Sequence, residues 1–239
     1  MPRKVQKSSE NQMSARNIVI TGGAGILGQA VAKQALVNGD HVILVDRADI
    51  AGLSGLAGDV RFGGVDLTDP AAAAQVMSAI ASECGGIDAL LNIAGGFIWE
   101  TLDGGMADSW DRMFAINLRT AVVASQAALP WLVQSAEGRI VNIGAAGAVK
   151  SDAGMGAYAA SKAGVARLTE SLARELLGKV TVNAVLPSII DTPTNRADMP
   201  DADPTDWVVP KDLAAAILFL ASVPARAITG ALLPVTGRV

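Results

Sequence analysis

Apolar and polar positions along the chain sort into two alternating kinds of segment. Short β-branched and aliphatic runs with almost no polar alternation occur at 17–21 (NIVIT), 41–45 (HVILV), 60–65 (VRFGGV), 87–92 (IDALLN), 139–143 (RIVNI), 180–185 (VTVNAV) and 231–235 (ALLPV). Longer alanine-rich stretches separate them, and their patterning predicts helices over 27–37, 70–83, 106–132, 157–177 and 211–221. Strands that stay apolar throughout and are joined through helices belong to a parallel sheet buried on both faces. With right-handed crossovers, the expectation is an α/β, single-domain Rossmann fold: a doubly wound seven-stranded parallel sheet with helices on both faces. The domain is expected to span 16–239, after a polar N-terminal extension at 1–15 that frays in solvent. One connection, 187–210, is long and rich in Pro and Asp, so it is a candidate lid that orders over bound ligands.

Composition narrows the picture. The 239 residues are 51% hydrophobic with 25 glycines but only 4% aromatic, so Ala, Val, Ile and Leu must fill the core. A net charge of −4 offers no electrostatic case for nucleic acid or an anionic membrane surface. One cysteine (Cys84) and one histidine (His41) exclude an internal disulfide and a Cys/His zinc site, and no acidic cluster suggests another metal. The start lacks the apolar core of a signal peptide, and the apolar run at 213–222 is too short to span a bilayer, so a cytoplasmic protein is expected.

The first strand runs straight into Thr21-Gly22-Gly23-Ala24-Gly25-Ile26-Leu27-Gly28 and then a helix. Glycines 23, 25 and 28 meet the dinucleotide fingerprint in its strand–turn–helix context, where backbone must approach a pyrophosphate at a helix N-terminus. Gly22, Gly25, Ile26, Leu27 and Gly28 are the expected contacts. Asp46 ends the second strand, where a carboxylate can accept ribose hydroxyls and repel a 2′-phosphate. NAD(H) is therefore preferred, while the adjacent Arg47 keeps NADP(H) open. Asp66 and Leu67 follow the third strand, placed to meet the adenine edge or, for Asp66, to cap the next helix. Asn92, Ala94 and Gly95 close the fourth strand, where small residues let a cofactor lie on the sheet edge.

Tyr158 and Lys162 are four apart on an expected helix and share a face. A free phenol titrates near ~10, and a neighbouring ammonium favours its ionised form. TGGAGILG, Asp46, NIAG, Asn117 in FAINL, and YAASK occur in the order and spacing of the short-chain dehydrogenase/reductase family, a resemblance that covers residues 17–239. It implies that Tyr158 is the general acid/base, that Lys162 holds the nicotinamide ribose and lowers the tyrosine pKa, and that Asn117 positions a water in a proton relay. It also implies that Pro187 and Thr192, in PSIIDT, lie at the nicotinamide carboxamide, and that the chain forms a homodimer or homotetramer through the helices at 106–132 and 157–177. Two departures are mild: Ser188 stands where the family has glycine, and the turn reads T-G-x-x-G-x-x-G, a form common in the larger branch of epimerases and dehydratases whose added domain this chain is too short to hold.

The third departure is chemical. The family's serine, thirteen residues before the tyrosine, is Ala145. In a ketone reductase that serine donates to the substrate oxygen, and losing such a donor costs about 3–4 kcal/mol of transition-state stabilisation. The segment AVLPSIIDTPTNRADMPDADPTDW at 184–207 resembles the matching loop of dihydropteridine reductases, members of the family that also carry alanine there, and GGAGILG and NIAGGF resemble them too. Asn117 is closer to the wider family. A quinonoid pterin is already electron-poor and needs no clamp on an isolated carbonyl. Phe97 and Trp207 are the candidate residues for stacking on or lining such a substrate, with Ala145 at its reacting end; Trp99, Trp110 and Trp131 are packing candidates. Three readings stand: an NAD(H)-dependent reductase of a quinonoid or pterin-like substrate, an ordinary alcohol or ketone oxidoreductase in which water, Ser151 or a backbone amide replaces the serine, and an NAD(H)-binding scaffold or sensor.

Overall fold

The computed structural model describes residues 15–50 and 54–238; the expected N-terminal extension falls almost wholly on 1–14, outside the described residues. Seven parallel strands form one sheet: β1 (Asn17–Thr21), β2 (His41–Val45), β3 (Val60–Phe62), β4 (Ala89–Asn92), β5 (Arg139–Ile143), β6 (Thr181–Pro187) and β7 (Leu232–Val235), in the order β3-β2-β1-β4-β5-β6-β7. After β1 the chain builds outward to one side, and from β4 it builds to the other. The order therefore reverses between β1 and β4, and a crevice opens at their carboxyl ends, where open α/β sheets take their ligands. Thr21 is paired with Val45 on one side and Asn92 on the other, which brings three of the expected cofactor segments to one sheet edge.

Helices cover both faces because the strands are apolar on both. α1 (Ile26–Val37) and α7 (Pro210–Leu220) seal one layer with Ile18, Ile20, Leu44, Leu91, Val141, Val185 and Ile217. α2 (Pro70–Cys84), α4 (Thr120–Leu132) and α5 (Gly156–Glu175) seal the other with Val19, Ile43, Leu90, Met77, Ile80, Leu132 and Val182. Local signals set the ends of α2. Asp69 caps its N-terminus by accepting from the Ala71 N–H, Pro70 occupies the first turn, and Gly85 stops it in a left-handed conformation (φ 82°).

Four expectations are revised. The third strand stops at Phe62, because Gly63 passes so close to residues 48–50 that a Cβ would stand 2.9 Å from the Ala48 carbonyl oxygen. The helix expected over 106–132 is three pieces: α3 (Ala107–Met113), a π-helical turn (Phe114–Arg119) and α4. Wide turns of this kind occur mostly as short insertions, often at functional sites, and this one holds Asn117. The segment 187–210 is structured. It contains α6 (Pro193–Asp198), started by Thr192 as N-cap and Pro193, and it is stapled at its base where Val208 N–H donates to Ile189 O and Asp191 N–H to Val208 O, both at 2.8 Å. Finally, Trp207 lies at that staple with 5% exposure and offers no surface to a substrate. Among the described residues no helix is long and apolar enough to cross a membrane.

Candidate active site

The glycine turn is built by close backbone approach. Gly22 adopts φ 65°, and a Cβ there would stand 2.9 Å from the Ala94 backbone; one on Gly23 would meet the Leu44 side chain at 2.8 Å, and one on Gly28 would strike the Gly22 carbonyl. Thr21 Oγ1 ties the two rims of the crevice together, accepting from Ile93 N–H (3.0 Å) and Ala94 N–H (3.1 Å). Gly25 caps α1 with no side chain, and the first turn holds no acid. The helix N-terminus thus keeps free N–H groups and an uncompensated positive dipole end, as a pyrophosphate requires. Ile26 is exposed at this end, whereas Leu27 is partly buried against the core.

Asp46 is bound into the same rim. Its carboxylate accepts from Ala24 N–H (3.0 Å) in the glycine turn and from Ala48 N–H (2.9 Å), and each oxygen keeps a lone pair for a further donor. Asp66 neither caps α2 nor lies free: it accepts from the Thr68 N–H (2.9 Å) and hydroxyl (2.8 Å), which with the nearby Arg47 charge hold its carboxyl below the usual carboxylate range. Leu67 is core. Asn92 is also turned inward. Its amide donates to Ser125 Oγ (3.0 Å) and Asn142 Oδ1 (2.8 Å), and Asn142 donates in turn to Thr169 on α5. This buried ladder locks α4 and α5 to the central strands, so Asn92 positions the site rather than touching a ligand with its side chain.

At the other rim, α5 carries Tyr158 and Lys162. Lys162 is buried, with Nζ donating to Ile143 O at 2.8 Å; burial lowers its pKa from 10.5 to about 8. The missing Cβ of Gly95 makes room for it: a Cβ there would lie 3.3 Å from Nζ and 2.6 Å from Asn117 Oδ1. Asn117 commits both amide N–H groups and one lone pair of its oxygen to the architecture. Its oxygen accepts from Gly96 N–H (2.9 Å), and its amide donates to Gly96 O and to Ser161 Oγ, both 3.0 Å. These bonds fix Asn117 between the β4 loop and α5. Ser161 then donates to Tyr158 O at 2.7 Å, so one chain of bonds joins the β4 loop, the π turn and α5. Ser161 was not singled out in the sequence; its place inside YAASK was the available signal.

Tyr158 is half-buried, and no hydrogen bond engages its hydroxyl among the described residues. Burial pushes its pKa up to about 12. Phe97 packs against it edge-on, ring centroids 4.9 Å apart at 80°. Ala145 is buried just past β5 in an extended conformation (φ −158°, ψ 143°) and brings no donor. Ser151 is exposed on the loop between β5 and α5, and its hydroxyl donates to its neighbour's carbonyl, Asp152 O, at 3.4 Å. At the end of β6, Pro187 is buried, and Thr192 Oγ1 accepts from Asn195 N–H (3.1 Å) as the cap of α6.

The buried ammonium has a measurable cost. Between pH 8 and 10.5 the unfolded chain binds more protons at Lys162 than the folded one, so this group's contribution to stability rises with pH through that window and is least favourable below it. A shift of this size corresponds to about 3 kcal/mol, part of which the bond to Ile143 O offsets. Lys162→Met is expected to raise the melting temperature at pH 7 by about 3–6 °C, with the gain shrinking at pH 10. A lower melting temperature at pH 7 would contradict it.

The family model for short chain dehydrogenases matches residues 16–203. A 2,5-dichloro-2,5-cyclohexadiene-1,4-diol dehydrogenase of Sphingobium indicum is 32% identical over 95% of this chain and 97% of its own. A 3-oxoacyl-[acyl-carrier-protein] reductase of Vibrio cholerae is 33% identical over 92% of this chain and 95% of its own. Among solved structures, a 3-ketoacyl-(acyl-carrier-protein) reductase of Brucella melitensis complexed with NADH superposes with a TM-score of 0.81 at 29% identity, covering 93% of this chain and 98% of that one.

Proposed function

The chain belongs to the short-chain dehydrogenase family and is an oxidoreductase, and from that premise we propose that it passes hydride between NAD(H) and an unsaturated ring substrate, with Tyr158 giving or taking the proton. The nucleotide-binding scaffold reading gives way to an enzyme. Support for the cofactor comes from the crowded glycine turn, the uncapped α1 and Asp46 at the rim; the nicotinamide, when bound, supplies or receives hydride at its C4. Gly22, Gly25, Ile26 and Gly28 would flank the pyrophosphate, Asp46 would accept from the adenosine ribose, and Lys162, with two N–H donors left beyond its bond to Ile143, would hold the nicotinamide ribose. Pro187 and Thr192 would line the carboxamide.

One observation carries the substrate class. Tyr158 presents a free hydroxyl that is protonated at neutral pH, yet the residue that would share the grip on a carbonyl oxygen is Ala145, the Ser161 hydroxyl is committed to Tyr158 O, and Ser151 lies exposed on the loop beyond. Such a site suits a hydride acceptor activated by its own conjugation, such as a quinonoid dihydropterin or a quinone-like ring. The relative named for a cyclohexadiene diol supports an unsaturated ring. The test is steady-state turnover of NADH with quinonoid dihydropterin beside cyclohexanone. The reading expects the pterin to be favoured in kcat/KM by at least tenfold; equal or faster turnover of the saturated ketone overturns it.

The cofactor preference has its own test. Asp46→Ser removes the charge that repels a 2′-phosphate while retaining an acceptor for the turn. The kcat/KM ratio for NADH over NADPH is expected to fall at least tenfold; an unchanged ratio would refute Asp46 as the discriminator. We further propose a homodimer or homotetramer through α4 and α5, on resemblance alone.

A further inference from the structure

The segment leaving β4 is fastened to the catalytic elements at nearly every residue. Gly95 lies flush against Asn117 and Lys162, and Gly96 is clasped at both its N–H and its carbonyl by the Asn117 amide. Phe97 meets Tyr158 edge-on. Trp99 lies flat on Gly154: at φ +75°, Gly154 has no room for a Cβ, which would stand 2.7 Å from the indole Cδ2 with Cε2 and Nε1 closer still. Glu100 N–H then donates to Gly154 O at 2.8 Å. Trp99 is 61% exposed, far more than an indole recruited for packing, yet it sits on the one backbone conformation that leaves its neighbour bare.

We propose that Trp99 and Gly154 form a latch that holds the 95–100 strap across the β5–α5 loop and thereby fixes Phe97 as the wall of the substrate cleft beside Tyr158. Both are positioning residues, acting through Phe97 on the group that meets the substrate. The latch rests on the reading of Tyr158 as the proton-transfer group. Beyond the strap's end, Glu100, Thr101, Met106, Trp110 and Asp111 line a cavity of about 330 Å³.

Tyr158 is the only tyrosine in the chain, so phenolate absorbance during a pH titration reports it alone and needs no substrate. The phenol is buried in part under Phe97, and Lys162, the charged group one turn along the same helix, stays in place in every variant. Trp99→Ala and Gly154→Ala are each expected to lower the titration midpoint by about one unit toward the ~10 of a free phenol, as Phe97→Ala does directly, while Trp99→Phe keeps the native midpoint. Circular dichroism verifies that each variant is folded. A native midpoint in folded Trp99→Ala together with a lowered one in Phe97→Ala overturns the latch; a native midpoint in Phe97→Ala overturns the cover itself. Failure of the Tyr158 assignment would instead leave Tyr158→Phe active, which this titration does not read.

Discussion

Tyr158→Phe is expected to lower kcat by about 10²–10⁴-fold, the range a positioned general acid or base contributes, while leaving the dissociation constant for NADH within about threefold. The substitution removes one oxygen and preserves the ring that packs against Phe97. No hydrogen bond to that oxygen is lost among the described residues, and the fold should not suffer. The sign of the pH dependence follows from the direction of the pKa shift. Burial raises the phenol to about 12 in the free protein, so at neutral pH it carries the proton that a reduction consumes. Reduction should therefore be level through neutral pH and decline in alkali, whereas oxidation, which needs the phenolate, should rise as pH rises. Bound oxidised nicotinamide and the Lys162 charge both pull the ionisation downward, and placing the oxidative limb below the free-protein value is their expected effect. Stopped-flow measurement of the hydride step checks the rate, and fluorescence titration with NADH checks binding. A variant that retains more than a tenth of the rate would remove Tyr158 from the proton path.

Much of this architecture was legible before any coordinates. Apolar runs of strand length between alanine-rich helices leave few alternatives to a parallel sheet, and the seven strands lie where the runs occur: three match them end to end, three are shorter by one to three residues, and β6 starts one residue later and runs two further. What the pattern could not show was where side chains point. Asn92, Leu27 and Leu67 all fall in segments that line the crevice, but a strand or turn near a ligand still sends alternate side chains inward: Asn92 and Leu67 are buried, and Leu27 packs partly against the core. The π turn was hidden because FAINLR has ordinary helical composition; the wide turn arises from tertiary bonds that draw Asn117 onto Gly96. Trp207 misled because an aromatic in a polar loop reads as a ligand contact, whereas it is buried where the loop's two limbs meet. The Trp99–Gly154 contact joins residues far apart in the chain, and only the positive φ of Gly154 makes the sequence glycine intelligible.

Ala145→Ser tests the substrate argument from the opposite side, by adding the missing donor. Ala145 is extended immediately after β5 and its own carbonyl accepts only from the Ala148 N–H, a backbone bond that a serine leaves intact. A single hydroxyl is the smallest addition that can reach an oxygen held by Tyr158. If the alanine reflects a substrate that needs no second grip, the variant should gain on saturated ketones and gain little on conjugated rings. The expected change is a rise of about 10²–10³-fold in kcat/KM for cyclohexanone, the value of one well-aimed donor to a developing oxyanion, with the quinonoid pterin changed by less than about threefold. The difference between the two substrates is the informative quantity, because a general disturbance of the site would lower both. A gain on both by the same factor would mean that the native substrate also develops charge on an unclamped oxygen, and the alanine would then be a loss rather than an adaptation. No gain on either would mean that the hydroxyl cannot reach the reacting atom, so residue 145 does not face the substrate at all. Either result would remove the basis for assigning an unsaturated ring to this site.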